Sequence, residues 1–252
     1  TFILIMNLDF PLDHIRIVLS HTSHPGNIGA AARAMKTMGL RSLFLINPKL
    51  FPDAEAEARA AHATDILERT TVCTDIDQAF DQTVLAAAVT ARPRELSYDV
   101  LDARQGAREL IRHAQRQPVA VLFGRESSGL TSEEVKRCQI AIHIPCNPEY
   151  PSLNLASAVQ VMTYELRMES IEQTRAAFRS SPIQSSVYQP ASFNELEALY
   201  RHLEILMITS DFLDPQKPKR LMSRIRRMFA RARLEKEEVQ ILRGILTALG
   251  KR

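Results

Sequence analysis

The chain lacks the common labels of nucleotide and hydrolase chemistry. No G-x-G-x-x-G follows its first strand-like run, which removes the fingerprint of a Rossmann dinucleotide site or an ordinary methyltransferase fold. No G-x-x-x-x-G-K-[ST] is present, so a P-loop triphosphatase is unsupported, and neither G-x-S-x-G nor H-E-x-x-H occurs. There are three cysteines, Cys73, Cys138 and Cys146, an odd and sparse set that argues for a reducing compartment and against a disulfide scaffold. Cys138, His143 and Cys146 have no paired C-x-x-C spacing, so buried thiols are expected and no metal. The opening Thr1-Phe2-Ile3-Leu4-Ile5-Met6 is far shorter than a membrane span and has no basic flank or cleavage site. It reads as an extension, and a cytoplasmic protein is expected. No internal repeat or low-complexity tract appears.

What is present is a 252-residue chain, 45% hydrophobic and 24% charged, enough for one main core and a smaller second domain. Near-continuous apolar runs at 15–19, 42–46, 84–89, 119–123 and 141–144 read as buried strands alternating with helical stretches. This predicts an α/β fold, a parallel sheet with helices on both faces. A helix is expected from Ile28 to Met38 with Asn27 as its N-cap, and another from Asp53 to about Ala63. A further helix is expected over Asp102–Gln115, and a long one from Ser152 or Asn154. Ser- and Pro-containing sequence marks 173–191 as a linker between a domain at 13–172 and a small all-helical domain at 192–252. In that last part Phe193, Leu196, Leu199, Tyr200, Leu203 and Leu206 line one helix, and Leu221, Ile225, Met228, Phe229 and Ala232 a second. Val239, Leu242, Ile245, Leu246 and Leu249 line a third.

The net charge of +3 says little about partners, but its distribution says more. Lys217, Lys219, Arg220, Arg224, Arg226, Arg227, Arg231 and Arg233 fall within 217–233 with no acid among them. A solvated helix face ordinarily mixes signs, so this reads as a polyanion-binding surface; a face of a dimerisation domain is the alternative.

Three loops carry glycine, proline and polar residues after strands and before helices: His24-Pro25-Gly26-Asn27-Ile28-Gly29, Phe123-Gly124-Arg125-Glu126-Ser127-Ser128-Gly129-Leu130, and Asn147-Pro148-Glu149-Tyr150-Pro151-Ser152-Leu153-Asn154-Leu155. Loops at the carboxyl ends of parallel strands form the binding crevice of α/β folds, which predicts one composite site. In the first, the small residues at a helix start suit an anion, with Arg33 further along; a plain capped helix with a solvent arginine is the alternative. A G-x-x-G clamp of the KH type is disfavoured by the preceding strand. In the second, Glu126 is either exposed or holds a positively charged partner. In the third, helix capping explains one polar residue but not the whole run.

Together these loops resemble the motifs of the SPOUT superfamily of RNA methyltransferases, with a close match to one subfamily, its bacterial tRNA (cytidine/uridine-2′-O-)-methyltransferases. The resemblance runs from about Ile15 to Leu249 and includes the tail, with Arg226-Arg227-Met228-Phe229 and Ile241-Leu242-Arg243-Gly244-Ile245-Leu246. It implies a trefoil knot, a homodimer, S-adenosylmethionine as cofactor, and methylation of the ribose 2′-hydroxyl of nucleotide 32 in the tRNA anticodon loop. Matched by motif, Val89, Thr90, Ala91, Gly124, Ile144, Pro151, Ser152 and Leu153 would cradle the cofactor. Arg33 matches the arginine regarded as catalytic, with Asn27, Glu126, Ser152 and Asn154 as further catalytic motif positions. Arg92, Arg94, Arg224, Arg226, Arg227 and Arg231 are the expected RNA-binding cations. Because guanidinium titrates above about 12, Arg33 is expected to grip a phosphate and steady the developing alkoxide rather than take a proton. The segment Pro93–Asp99 departs from the family pattern, and Pro151 removes one amide donor from the third loop, which bears on substrate preference. Methylation of another RNA, or a catalytically silent RNA-binding protein of this fold, are the competing readings.

Overall fold

The computed structural model describes residues 10–91, 100–179 and 189–250. They divide into two compact units, one built from residues up to Phe80 and from Leu85 to 179, the other from Asp81–Val84 and 189–250.

In the first unit the apolar runs become strands β1 (Ile15–Ser20), β2 (Ser42–Ile46), β4 (Leu85–Val89), β6 (Val119–Phe123) and β7 (Ile140–His143). Two short strands, β3 (Thr71–Cys73) and β5 (Val100–Asp102), were not anticipated. Among the described residues all seven form one sheet in the order β3-β2-β1-β6-β4-β7-β5, and every neighbouring pair is parallel. Every residue of β6 is buried, as a strand covered on both faces requires. The helices are α1 (Phe10–Asp13), α2 (Pro25–Met38), α3 (Ala54–Ala60), α4 (Thr64–Glu68), α5 (Ile76–Phe80), α6 (Ala103–Ala114), α7 (Ser132–Lys136) and α8 (Leu155–Arg179). α2 packs on α3 and α8, and α6 packs on α8. β1, β6, β4 and β7 are consecutive in the sheet, so the loops leaving their carboxyl ends emerge side by side.

Two boundaries differ from expectation. α2 starts at Pro25, with His24 in the extended N-cap position and no side-chain cap. Proline is suited to the first helical position, where its missing N–H costs nothing. Asn27 therefore sits inside the first turn, and its side chain is free for other partners. α8 continues to Arg179, past the expected start of the linker at 173. Arg92 and Arg94, with the rest of 92–99, and 180–188 of the expected linker lie outside the described residues.

The second unit contains α9 (Phe193–Thr209), α10 (Leu221–Ala232) and α11 (Lys236–Leu249). Ser192 and Glu195 form a capping box at the start of α9. Leu196, Leu199, Tyr200 and Val239 are buried at its centre, with Ile225, Phe229, Leu242 and Leu246 packed against them. Among the expected core positions outside this cluster, Met228, Ile245 and Leu249 are 49%, 50% and 59% exposed. Their helices are apolar over more than the one face that the small core can cover.

Arg226 is also placed differently from the expectation. Its guanidinium is paired at both ends with the Glu197 carboxylate, Nη2 to Oε2 at 2.9 Å, and lies 4.4 Å from the Tyr200 ring centre. It ties α10 to α9 through Glu197. Arg226→Ala is expected to destabilise this unit by about 2–3 kcal/mol, because Glu197 is left partly buried without its counter-ion. Thermal unfolding of the full chain checks it; an unchanged midpoint contradicts it.

Candidate active site

The three loops meet at the carboxyl edge of the sheet. The second is closed by reciprocal hydrogen bonds between the Arg125 and Gly129 backbones, 2.9 and 3.2 Å. Gly129 has φ +69°, a region that strongly favours glycine. A Cβ on Gly124 would lie 2.2 Å from the Gly129 carbonyl carbon, so the turn closes only with glycine there. Thr131 caps α7, and Glu134 completes the capping box. The Glu134 carboxylate also accepts from Ser20 Oγ and from Arg125 Nη1 (2.9 Å). The Thr-x-x-Glu spacing of 131–134 is readable in sequence; the bond from Ser20 is not.

Glu126 joins the first two loops. It accepts from the Ser23 amide (3.1 Å), Ser23 Oγ (2.9 Å), the His24 amide (3.3 Å) and Asn27 Nδ2 (2.9 Å). Its partners are thus neutral donors, not the cation considered from sequence. Burial pulls its pKa upward, but the bonds from Asn27 and Ser23 outweigh it and bring the pKa from 4.5 down to about 2. A carboxylate so held is a clamp and a poor proton acceptor near neutral pH.

Asn154 joins the third loop to the first. Its Oδ1 accepts from the amides of Ala156 (2.9 Å) and Ser157 (3.4 Å), capping α8, while its Nδ2 donates to Asn27 Oδ1 (3.0 Å). Asn27 is the hinge of this chain, donating to Glu126 and accepting from Asn154. Ser23 is the participant that sequence reasoning missed.

Beside this lock lies a cleft of about 840 Å³, counted to its open mouth. Val89, Thr90, Ala91, Gly124, Ile144, Pro151, Ser152 and Leu153 all line it, as do Arg125, Glu126 and Cys146. Ser152 and Leu153 make no hydrogen bond among the described residues, which leaves their amides available. His143 Nδ1 lies 3.3 Å from the Thr90 carbonyl, and Cys138 is buried. Arg33 does not line the cleft; it is exposed on α2, and its guanidinium has no partner among the described residues.

The model of the SpoU rRNA Methylase family matches residues 14–164, and that of the tRNA methyltransferase TrmJ C-terminal domain matches 194–252. The tRNA (cytidine/uridine/adenosine-2′-O-)-methyltransferase TrmJ of Pseudomonas aeruginosa (strain UCBPP-PA14) is 46% identical over 245 residues, 94% of this chain and 93% of that protein. The chain belongs to the SpoU methylase family, in its TrmJ branch. TrmJ of Yersinia pestis (strain Pestoides F), named a tRNA (cytidine/uridine-2′-O-)-methyltransferase, is 42% identical to this SpoU-family chain over 95% of its length and 93% of its own. The crystal structure of TrmJ from Z. mobilis ZM4 superposes with a TM-score of 0.80 at 30% identity, covering 93% of this chain and 98% of that one. The SpoU match contains all three loops and the cleft, and the TrmJ match contains the arginine-rich helix α10.

In the second unit Arg224 and Arg231 are exposed and their guanidinium groups have no partner among the described residues, while Arg227 is half-buried with its Nε unpaired there. Among the described residues no helix is long and apolar enough to cross a membrane.

Proposed function

We propose that this chain methylates the ribose 2′-hydroxyl of nucleotide 32 in the tRNA anticodon loop, using S-adenosylmethionine, as a cytoplasmic homodimer. The observation that carries this is the convergence of three separated loops on one cleft, locked through Glu126, Asn27 and Asn154. The tRNA 2′-O-methyltransferase names of end-to-end relatives support the substrate.

The cleft fits the donor. Val89, Ile144 and Leu153 offer apolar surface, and the Ser152 and Leu153 amides offer donors. When bound, S-adenosylmethionine supplies an electrophilic methyl group on a sulfonium sulfur. The residues of the chain then have to orient a 2′-hydroxyl and manage its proton. Ser152 on the cleft wall is placed to hold the ribose, and Glu126, through Asn27 and Asn154, keeps the first and third loops at fixed spacing. Arg33 grips the phosphate beside the target ribose and steadies negative charge on the 2′-oxygen, leaving the proton to phosphate or water. In the homodimer of this proposal a second copy brings its arginine to each site.

The test is methyl transfer to unmodified tRNA followed by mapping of the methylated nucleotide. A single ribose methyl at position 32 is expected, with cytidine, uridine or adenosine as the base. Methylation confined to another RNA, or none despite donor binding, contradicts the reading.

The second unit is the tRNA-holding part in this proposal, with Arg224 and Arg231 as phosphate ligands. Neutralising both should weaken binding and flatten the plot of log affinity against log salt by roughly 1.5–2 units. An unchanged slope removes them from the RNA contact.

A further inference from the structure

Most of the run Asn147–Leu155 now has a place. The Asn147 side chain accepts from the Glu149 amide (3.1 Å) and its carbonyl from the Tyr150 amide (2.9 Å), making a tight turn. Pro148 and Pro151 restrict the backbone on either side. Pro151, Ser152 and Leu153 line the cleft, Asn154 caps α8, and Leu155 is buried. Tyr150 is left over. It is 78% exposed, the most exposed of the large hydrophobic side chains named for the described residues, and its hydroxyl has no partner among them. Its Cα is one peptide, about 3.8 Å, from that of Pro151 on the cleft wall.

We propose that Tyr150 is a stacking platform for a base of the RNA substrate, a nucleobase subsite on the lip of the cleft. This rests on the tRNA-methyltransferase reading above. A ribose hydroxyl in a loop is reached when its nucleotide leaves the stack, and aromatic side chains replace the lost stacking. The turn and its prolines restrict the backbone that carries the ring, so less chain freedom is lost when a base arrives. The neighbouring Glu149 carboxylate is exposed and repels phosphate, so this lip suits a neutral ring face better than the RNA backbone. Leu153, 39% exposed and on the cleft wall, adds apolar surface to the same lip.

Tyr150→Ala and Tyr150→Phe in the full chain, assayed on unmodified tRNA, test this. Tyr150→Ala should lower kcat/KM for tRNA by about 5- to 150-fold, and Tyr150→Phe by no more than about 2-fold, because the ring and not the hydroxyl does the stacking. Calorimetric affinity for S-adenosylmethionine should be unchanged in both. On tRNA abasic at the target nucleotide, wild type should fall to the level of Tyr150→Ala, and Tyr150→Ala should lose little more. Wild-type turnover in Tyr150→Ala, equal losses in Tyr150→Phe, or additive losses on the abasic substrate would each overturn the platform while leaving the methyltransferase reading intact. Altered oligomeric state of Tyr150→Ala by sedimentation would assign the ring to a protein contact instead. A wild-type chain that methylates no tRNA ends both.

Discussion

Arg33→Ala is expected to lower kcat for methyl transfer by about 10²–10³-fold, the effect of removing one charge-stabilising donor from a transition state. Stability should stay within about ±0.5 kcal/mol, because the side chain is exposed and its guanidinium has no partner among the described residues. Donor binding should also be unchanged, since the guanidinium is assigned to the RNA phosphate and the 2′-oxygen and not to the donor. Arg33→Lys keeps the charge but loses the two-pronged donor geometry, and most of the loss should remain. Single-turnover assays with saturating tRNA separate these effects. Near-normal turnover of Arg33→Lys would reduce the role to bulk charge, and near-normal turnover of Arg33→Ala would end it.

Glu126→Ala is expected to have an effect of similar size by a different route. It leaves the Ser23 hydroxyl, the Ser23 and His24 amides and the Asn27 amide group without their acceptor. The cost should be about 2–4 kcal/mol of stability, since unsatisfied part-buried donors cost about 1–3 kcal/mol each and water recovers some of it. Release of the first loop should lower kcat/KM by on the order of 10²-fold or more, because positioning errors of about 1 Å carry that penalty. The carboxylate also makes stability depend on pH. Its folded pKa of about 2 lies below the ordinary 4.5, so its contribution is complete above about pH 4.5 and is lost as pH falls through about 2. Denaturant midpoints of Glu126→Gln should therefore be lower than wild type near neutrality and converge with it across that window. A constant difference between the two at all pH values would show that the charge of Glu126 is not what the donors hold.

Much of this site was legible because its loops interrupt strong patterns. Apolar runs such as Val119–Phe123 declare a buried strand, and a glycine or proline directly after one marks a crevice loop. The family motifs then pointed to individual residues, and the eight residues expected to cradle a cofactor all line one cleft. The order of the sheet was not legible, since periodicity says nothing about which strands are neighbours. β3 and β5 are three residues each at the two ends of the sheet, too short for alternation to register.

Other misses have the same origin in long-range partners. Asn27 reads as an N-cap because its side chain suits one, yet Pro25 begins the helix and Glu126 claims the amide. Arg226 reads as one more cation of a basic face, yet Glu197, 29 positions away on another helix, takes its guanidinium. A sequence lists donors and acceptors, but the fold decides which of them meet.

Crystals of the protein grown with S-adenosylhomocysteine and a tRNA anticodon stem-loop test the central claim most directly. The account predicts ligand density against Val89–Ala91, Gly124, Ile144 and Pro151–Leu153, with the ribose of nucleotide 32 facing it. Density for the ligand in any other part of the chain, or a ribose turned away from this cleft, would contradict it.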